Sequence, residues 1–311
     1  MKRILITGSN GLLGQRLAEM MIHSSGYRLL LTSKHEHSVF AENAVEYRTM
    51  DVTDRNAVRT VIEEFEPETI INTAAITNVD QCEKERELAW RVNVRSVEHL
   101  TYAAKLSGAK IIHLSTDYVF DGKSGPYSEL DRPNPLSYYG KTKLASENVL
   151  RTSGVPHTIV RTMVLYGIGF GVKLNFALWV LKSLGEGNAI HVVNDQIGNP
   201  TFADDLAYAL LKIVDLGGSE LYHVAGEELV SRFDFAVALA RVFNLNRKLI
   251  EPVKTSAFKQ PAARPLKSGF IILKAETELG IKMSGVERGL MAFKNQVTHQ
   301  LGEVTFANTK P

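Results

Sequence analysis

The chain has 311 residues, 44% of them hydrophobic and 23% charged, and its acids and bases balance to a formal net charge of +2. That length buries a substantial core, as one large domain or two fused lobes, and no basic stripe stands out to support a nucleic-acid partner. The single cysteine, Cys82, excludes an internal disulfide and a cysteine-built metal cluster; the apolar run that opens the chain stops at Gly8 and nothing approaches the ~18 apolar residues of a membrane span, so a soluble cytoplasmic protein is expected.

Ile4–Thr7 reads as a strand, Leu12–Met21 as a helix and Arg28–Thr32 as a second strand. Val45–Val52 follows as a strand, then Asp54–Phe65 as a helix that Asp54 can cap. Next come a strand at Thr69–Asn72, one long helix over Glu83–Ser107 closed by Gly108, and a strand at Lys110–Ser115. A helix at Ser137–Thr152 and a strand at His157–Arg161 complete the regular part. Several strands are apolar at consecutive positions, the pattern of a parallel sheet covered on both faces. The alternation predicts an α/β fold with a doubly wound parallel (Rossmann) sheet. Beyond Gly167 it weakens, leaving helices near Asp204–Leu216 and Ser231–Phe243 and a short strand at Leu221–Val224. No repeat, linker or low-complexity tract marks a boundary. A smaller substrate lobe is therefore expected to interleave with the nucleotide domain: 1–167 and about 203–235 for the NAD(P)-binding part, about 168–202 and 236–311 for the lobe.

Gly8-Ser9-Asn10-Gly11-Leu12-Leu13-Gly14 joins the first strand to the first helix. Glycines there let the backbone turn tightly and approach a pyrophosphate, with the helix N-terminus aimed at its charge. The spacing is one residue longer at the front than the standard dinucleotide fingerprint, but its place between strand and helix marks a cofactor turn. The second strand runs out into Ser33-Lys34-His35, with no carboxylate before Glu36. An acid at that end suits the free ribose of NAD, whereas Ser33 and Lys34 suit the 2′-phosphate of NADP; NADP(H) is thus preferred, with NAD(H) still open. Asp51-Val52, and Ala74-Ala75 after Asn72, sit at further strand ends, where open α/β sheets bind ligands.

In Ser137-Tyr138-Tyr139-Gly140-Lys141-Thr142-Lys143 only Tyr139 has a lysine in helical phase, four residues on. Hydride transfer at a carbonyl needs a proton at its oxygen, and a phenol can supply it once its ordinary value near 10 is lowered by roughly 4 kcal/mol. An ammonium about 4 Å away at an effective dielectric near 20 provides that much attraction. Thr116, at the end of the fifth strand, adds a hydroxyl able to orient the carbonyl oxygen.

With these residues in place, the chain resembles an extended short-chain dehydrogenase/reductase of the dTDP-4-dehydrorhamnose reductase family. The likeness covers nearly the whole sequence: the glycine turn, Thr77-Asn78-Val79-Asp80-Gln81-Cys82-Glu83, Val92-Asn93, Ser115-Thr116-Asp117-Tyr118-Val119-Phe120-Asp121-Gly122, Tyr139–Lys143, Asp195–Thr201 and Ala263-Arg264-Pro265. It implies NADPH- or NADH-dependent reduction of a nucleotide-linked 4-keto-6-deoxy sugar in carbohydrate biosynthesis. Tyr139 would be the general acid, Lys143 would bind the nicotinamide ribose and tune Tyr139, and Thr116 would position the ketone. The resemblance also carries Asn10, Leu12, Leu13 and Thr77 to the cofactor and Val79, Asp117, Tyr118 and Val164 to the substrate. Related dehydratases have Asp-Glu after the threonine; Asp117-Tyr118 here makes dehydration unexpected. At position 164 the family commonly has a tryptophan that packs on the sugar, and valine presents no such flat surface. The same motifs resemble the regulatory beta subunit of methionine adenosyltransferase, which gives the alternative of an NADP-binding subunit acting through a partner enzyme. A homodimer is compatible with either reading.

His113, inside a strand, is expected to be a satisfied core histidine, Cys82 a small buried hydrophobe, and Trp90 and Trp179 packing residues. His35 and His37 lack further ligands at metal spacing, so no metal is expected. Arg264 suits either a substrate diphosphate or a surface salt bridge, and Asn175 is a second candidate substrate contact.

Overall fold

The computed structural model describes residues 1–41, 44–218 and 220–301. Its first half winds β1 (Lys2–Thr7), α1 (Leu12–Ile22), β2 (Tyr27–Ser33), β3 (Glu46–Thr49), α2 (Arg55–Phe65), β4 (Thr69–Asn72), α3 (Val79–Lys84), α4 (Arg86–Trp90), a π-helical turn (Arg91–Arg95), α5 (Ser96–Ser107), β5 (Lys110–Thr116), α6 (Tyr138–Ser153) and β6 (His157–Thr162). The second half runs β7 (Leu165–Tyr166), α7 (Phe176–Gly185), β8 (Ile190–Val193), β9 (Ile197–Gly198), β10 (Thr201–Phe202), α8 (Ala203–Leu216), β11 (Leu221–His223), β12 (Val230–Ser231), α9 (Arg232–Val242), β13 (Ile250–Val253), α10 (Leu273–Leu279) and α11 (Val286–Leu301). Seven strands form one parallel sheet in the order β11-β6-β5-β4-β1-β2-β3. The order reverses between β1 and β4, the doubly wound arrangement expected from the alternation.

Local chemistry sets the element ends. Asp54 accepts hydrogen bonds from the Asn56 and Ala57 amides at the start of α2, Ser137 accepts one from Gly140 at the start of α6, and Gly108 ends α5 in the left-handed region. Two expectations change. The predicted strand Val45–Val52 is cut to Glu46–Thr49, an edge strand paired among the described residues only with β2; the Met50 amide makes its last rung to Ser33 O at 2.7 Å, and Asp51 then turns the chain by accepting from the Thr53 amide. The single helix Glu83–Ser107 starts earlier, at Val79 under an Asn78 cap. It breaks at Glu85, whose backbone leaves the helical region (φ −114°, ψ 58°), and passes through the π turn before α5.

On one face of the sheet α1, α8 and α10 bury Leu13, Leu17, Leu206, Leu210, Ala275 and Leu279 against Ile4, Ile6 and Val160. On the other, α2 and α5 bury Val58, Ile62, Leu100 and Ala104 against Leu5, Ile70 and Ile111. A third core, separate from both, joins α7, α9 and α11 around Tyr166, Leu181, Phe235 and Phe293. α9 packs in the third core, and α10 packs against α8 on the sheet side. Among the described residues no helix is long and apolar enough to cross a membrane.

Candidate active site

Four chain segments bring their polar groups to the carboxyl ends of the sheet strands: the turn after β1, the loop after β4, the end of β5, and the first turns of α6. In the first, Gly8 has φ +67°, and a Cβ on it would lie 2.8 Å from the Ala74 Cα; β1 and β4 thus end with their backbones touching, as only glycine permits. Ser9 is fully buried and its hydroxyl has no partner among the described residues, an expensive state unless a ligand completes it. Leu13 and Gly14 are buried and Leu12 is half-buried at the start of α1. Asn10 reaches outward instead: its Nδ2 donates to His37 O at 2.8 Å, tying the turn to the loop after β2. In that loop the Ser33 hydroxyl is engaged by Tyr47 Oη at 2.8 Å and by the His35 amide, while Lys34 is exposed. Asp51 caps its own turn through the Thr53 amide. Ala74 and Ala75 are half-buried and Thr77 is exposed. A phosphate-bearing dinucleotide fits this cradle: free N-terminal amides of α1, an unpartnered Ser9 hydroxyl, and no side chains at 8, 11 and 14.

Tyr139 and Lys143 occupy successive turns of α6 and both are buried. Gly140 between them is a packing requirement, since a Cβ there would run into the Tyr118 carbonyl oxygen. Thr116 ends β5 beneath them, accepting from the Tyr118 amide at 3.2 Å and donating to Asp117 Oδ1 at 3.1 Å. The three predicted groups are brought together. The electrostatics differ from the expectation. Burial holds the Tyr139 phenol above its ordinary range, with Thr116 opposing and Asp117 and Tyr118 adding to the rise. The Lys143 Nζ is turned to His113 Nε2 at 3.2 Å. Burial also pushes the lysine down to about 8, against the pull of Glu147 one turn further on.

Two supports of this group were not legible in the sequence. Asn93, in the π turn, accepts the Ile76 amide at 2.8 Å, donates back to Ile76 O at 3.0 Å, and donates to Thr142 Oγ1 at 3.1 Å; Thr142 in turn donates to Tyr139 O at 2.7 Å. One amide thereby fixes the loop after β4 against α6. Behind Lys143, Glu147 is 0% exposed and meets Arg161, 1% exposed, through two bonds of 2.9 and 2.7 Å, with Ser115 donating a third. The bidentate pair holds the Glu147 carboxyl below its usual range despite burial.

The opposite wall comes from the second lobe. A cleft is lined by Asp117, Tyr118, Val164, Gln196, Arg232 and Ser268. Tyr118 stands edge-on to Tyr139, ring centres 5.6 Å apart, and Val79 packs in the same cluster. Asp117 is buried, accepts from Ser268 Oγ at 2.6 Å, and is pushed up to about 6, chiefly by burial. Val164 has φ +45°, a strained backbone for a β-branched residue. Two predicted substrate contacts are otherwise engaged. Arg264 grips Asp80 of α3 through bonds of 2.8 and 3.3 Å, so its fork is spent on the salt bridge. Asn175 caps α7 with its carbonyl and donates to Gly167 O with its amide. The cation left facing the cleft is Arg232, which the sequence reading passed over. Its guanidinium lies over Phe176 at 5.0 Å and makes no ion pair or side-chain hydrogen bond among the described residues; burial lowers its pKa while Tyr118 and Asp117 pull the other way. Its signal was faint: an arginine at the first position of a helix, following Ser231.

A family model described as the RmlD substrate binding domain matches residues 1–299. A dTDP-4-dehydrorhamnose reductase of Aggregatibacter actinomycetemcomitans is 36% identical, over 93% of this chain and 97% of the relative. The spore coat polysaccharide biosynthesis protein SpsK of Bacillus subtilis is 32% identical, over 91% and 93%. Among solved structures, a dTDP-4-dehydrorhamnose reductase from Clostridium acetobutylicum superposes with a TM-score of 0.85 at 34% identity, covering 95% of this chain and 99% of that one. A Bacillus anthracis dTDP-4-dehydrorhamnose reductase in complex with NADP gives 0.81 at 33% identity, with the same coverage. The chain belongs to the RmlD substrate binding domain family.

Proposed function

We propose that this family member is an oxidoreductase that uses NADPH to reduce a nucleotide-linked 4-keto-6-deoxy sugar to the alcohol. The observation that carries the reading is the convergence of Thr116, Tyr139 and Lys143 on the strand ends beside a glycine cradle. When bound, NADPH supplies the hydride. Tyr139 gives its phenolic proton to the sugar's carbonyl oxygen as the carbonyl carbon accepts that hydride, so that one C–H and one O–H bond form and the carbonyl π bond is lost. Thr116 orients the same oxygen, and Lys143 holds the nicotinamide ribose. Ser9 and the amides of Leu12 and Leu13 cradle the pyrophosphate. The exposed Lys34 meets the 2′-phosphate, which is our ground for preferring NADPH to NADH. Arg232, in place of Arg264, receives the anionic phosphoryl oxygens of the sugar nucleotide. A cytoplasmic location accords with the one cysteine, which is unpaired and buried.

The test is NADPH oxidation on adding dTDP-4-dehydro-L-rhamnose. Rapid enzyme-dependent loss of NADPH absorbance is the expected result. No loss, in a sample shown to bind NADPH, would reject this sugar, and Val164→Trp would then ask whether the flat surface is what is wanting.

A further inference from the structure

The face of Lys143 turned away from Tyr139 holds a buried chain of neutral groups whose hydrogen positions can be fixed from one backbone amide. The Ala74 N–H can only donate, and it reaches the Asn72 side chain at 3.2 Å, which makes the recipient Oδ1; Thr7 Oγ1 donates to the same oxygen at 2.6 Å. The other end of that amide, Nδ2, is therefore the donor to His113 Nδ1 at 3.1 Å. With Nδ1 accepting, a neutral imidazole carries its proton on Nε2. His113 is 1% exposed, and burial with the nearby Lys143 holds it neutral, far below its ordinary range. Ser146 Oγ, 2.9 Å from Nε2, already donates to Lys143 O at 2.7 Å, so it is an acceptor of the Nε2–H.

Lys143 Nζ lies 3.2 Å from the same Nε2, and the described residues give it no other partner. An ammonium there sets donor against donor in a buried place, whereas a neutral amine presents a lone pair that shares the N–H with Ser146 Oγ. The charges around it do not reverse this. Glu147, on the same helix, attracts the ammonium but is committed to Arg161, Arg151 and Ser115. Tyr139, one turn before, is a neutral phenol, and His157, from β6, acts on His113 rather than on the lysine.

We propose that His113 is a positioning residue for Lys143: its Nε2–H, locked by Asn72, faces the lysine amine and makes NADP(H) binding draw a proton onto Nζ. The inference rests on the glycine cradle and Lys143 forming an NADP(H) site. Ribose hydroxyls offer the ammonium the acceptors that His113 denies it, so the amine takes one proton from solvent on binding, and it is the resulting ammonium that faces the Tyr139 phenol. The sign follows. Lys143 titrates low in the free protein, near 8, and near its ordinary value of about 10.4 once bound. Uptake is therefore small near neutrality and approaches one proton per NADPH above pH about 8, where affinity falls as pH rises. The 2′-phosphate titrates near 6 and lies outside this window.

Two measurements decide it. The first is the 15N titration of the Lys143 side chain in the free protein, the resonance being the one that Lys143→Met removes. The expected midpoint is below 9 in the wild type, moving up by a unit or more in His113→Gln, whose amide can turn its oxygen to Nζ. The second is calorimetry of NADPH binding at pH 9 in buffers of different ionisation enthalpy, on the wild type alone, should His113→Gln fail to fold. Uptake of more than half a proton is expected. A wild-type midpoint above 10, or binding without uptake at pH 9, overturns the proposal. Failure of NADPH to bind at all would instead overturn the cofactor reading, while the titration of the free protein would still judge His113.

Discussion

The two sides of the cleft are built on different principles. On the sheet side nearly every polar side chain near the reaction centre is held by another: Thr7 by Asn72, Asn72 by His113, Asn93 by Ile76 and Thr142, Ser115 by Glu147, Glu147 by Arg161. On the lobe side Arg232 projects without a polar partner among the described residues, and Val164 sits on strained backbone. Groups that must hold an orientation through a transition state are preorganised by their neighbours. Groups that read a ligand keep their valences for it, and accept a cost in the free protein.

The comparison breaks or sharpens at definite places. The largest effect is expected at Tyr139→Phe, which should cut turnover by roughly 10²–10⁴-fold with NADPH affinity held within a few-fold; turnover that survives would strip the phenol of its role. Next, Glu147→Gln leaves the buried Arg161 uncompensated, a loss of about 3–5 kcal/mol, and thermal melting should report it. A melting point within a degree or two of wild type would show that the sheet-side network is not what holds the floor.

Asp117 comes third and works in the opposite direction. Its carboxyl is raised from 3.8 to about 6 by burial, so the folded protein binds that proton more tightly than the unfolded chain. Stability therefore declines as pH rises between about 4 and 6, and the penalty is complete above that window. Asp117→Asn should be more stable than wild type above pH 6, by up to about 3 kcal/mol, and equal to it below pH 4; a difference that does not vary with pH would refute this. For the lobe side, Arg232→Gln should raise the sugar-nucleotide KM about 10- to 100-fold, the worth of a charge-assisted hydrogen bond, with kcat nearly kept. Arg264→Gln should do much less to KM, and the reverse ranking would restore Arg264 as the substrate's cation. The smallest effect belongs to Lys34→Ala, a several-fold loss of preference for NADPH over NADH, in keeping with an exposed ion pair.

What could be read from the sequence follows the same division. Consecutive apolar runs at Ile4–Ile6, Ile70–Ile71 and Ile111–Ile112 specify buried parallel strands, and the glycine turn and the Tyr139–Lys143 phase specify what stands at their ends, because both depend on local spacing. Arg264 and Asn175 were left open by the sequence for a shared reason. Their partners, Asp80 and Gly167 O, are reached only through the tertiary fold, and an arginine beside a proline looks the same whether it binds a phosphate or a carboxylate. The break at Glu85 and the π turn were hidden too, since no glycine or proline falls between Glu83 and Ser107 to mark either. His113 was rightly placed in the core, yet its neighbour on α6, thirty positions away in sequence, could not be inferred from its strand.

The π turn at Arg91–Arg95 gives the chain a site where length counts for more than composition. Each residue of an α-helix turns its successor by about 100°, and a π turn accommodates one residue beyond the α-helical repeat. Removing any single residue from this segment would let α4 and α5 fuse into one regular helix, with apolar faces and caps otherwise unaltered. It would also swing Asn93 away from Ile76 and Thr142, releasing the loop after β4 from the helix that carries Tyr139. A one-residue deletion in a segment that supplies no proposed reacting group would thus disturb the setting of Tyr139.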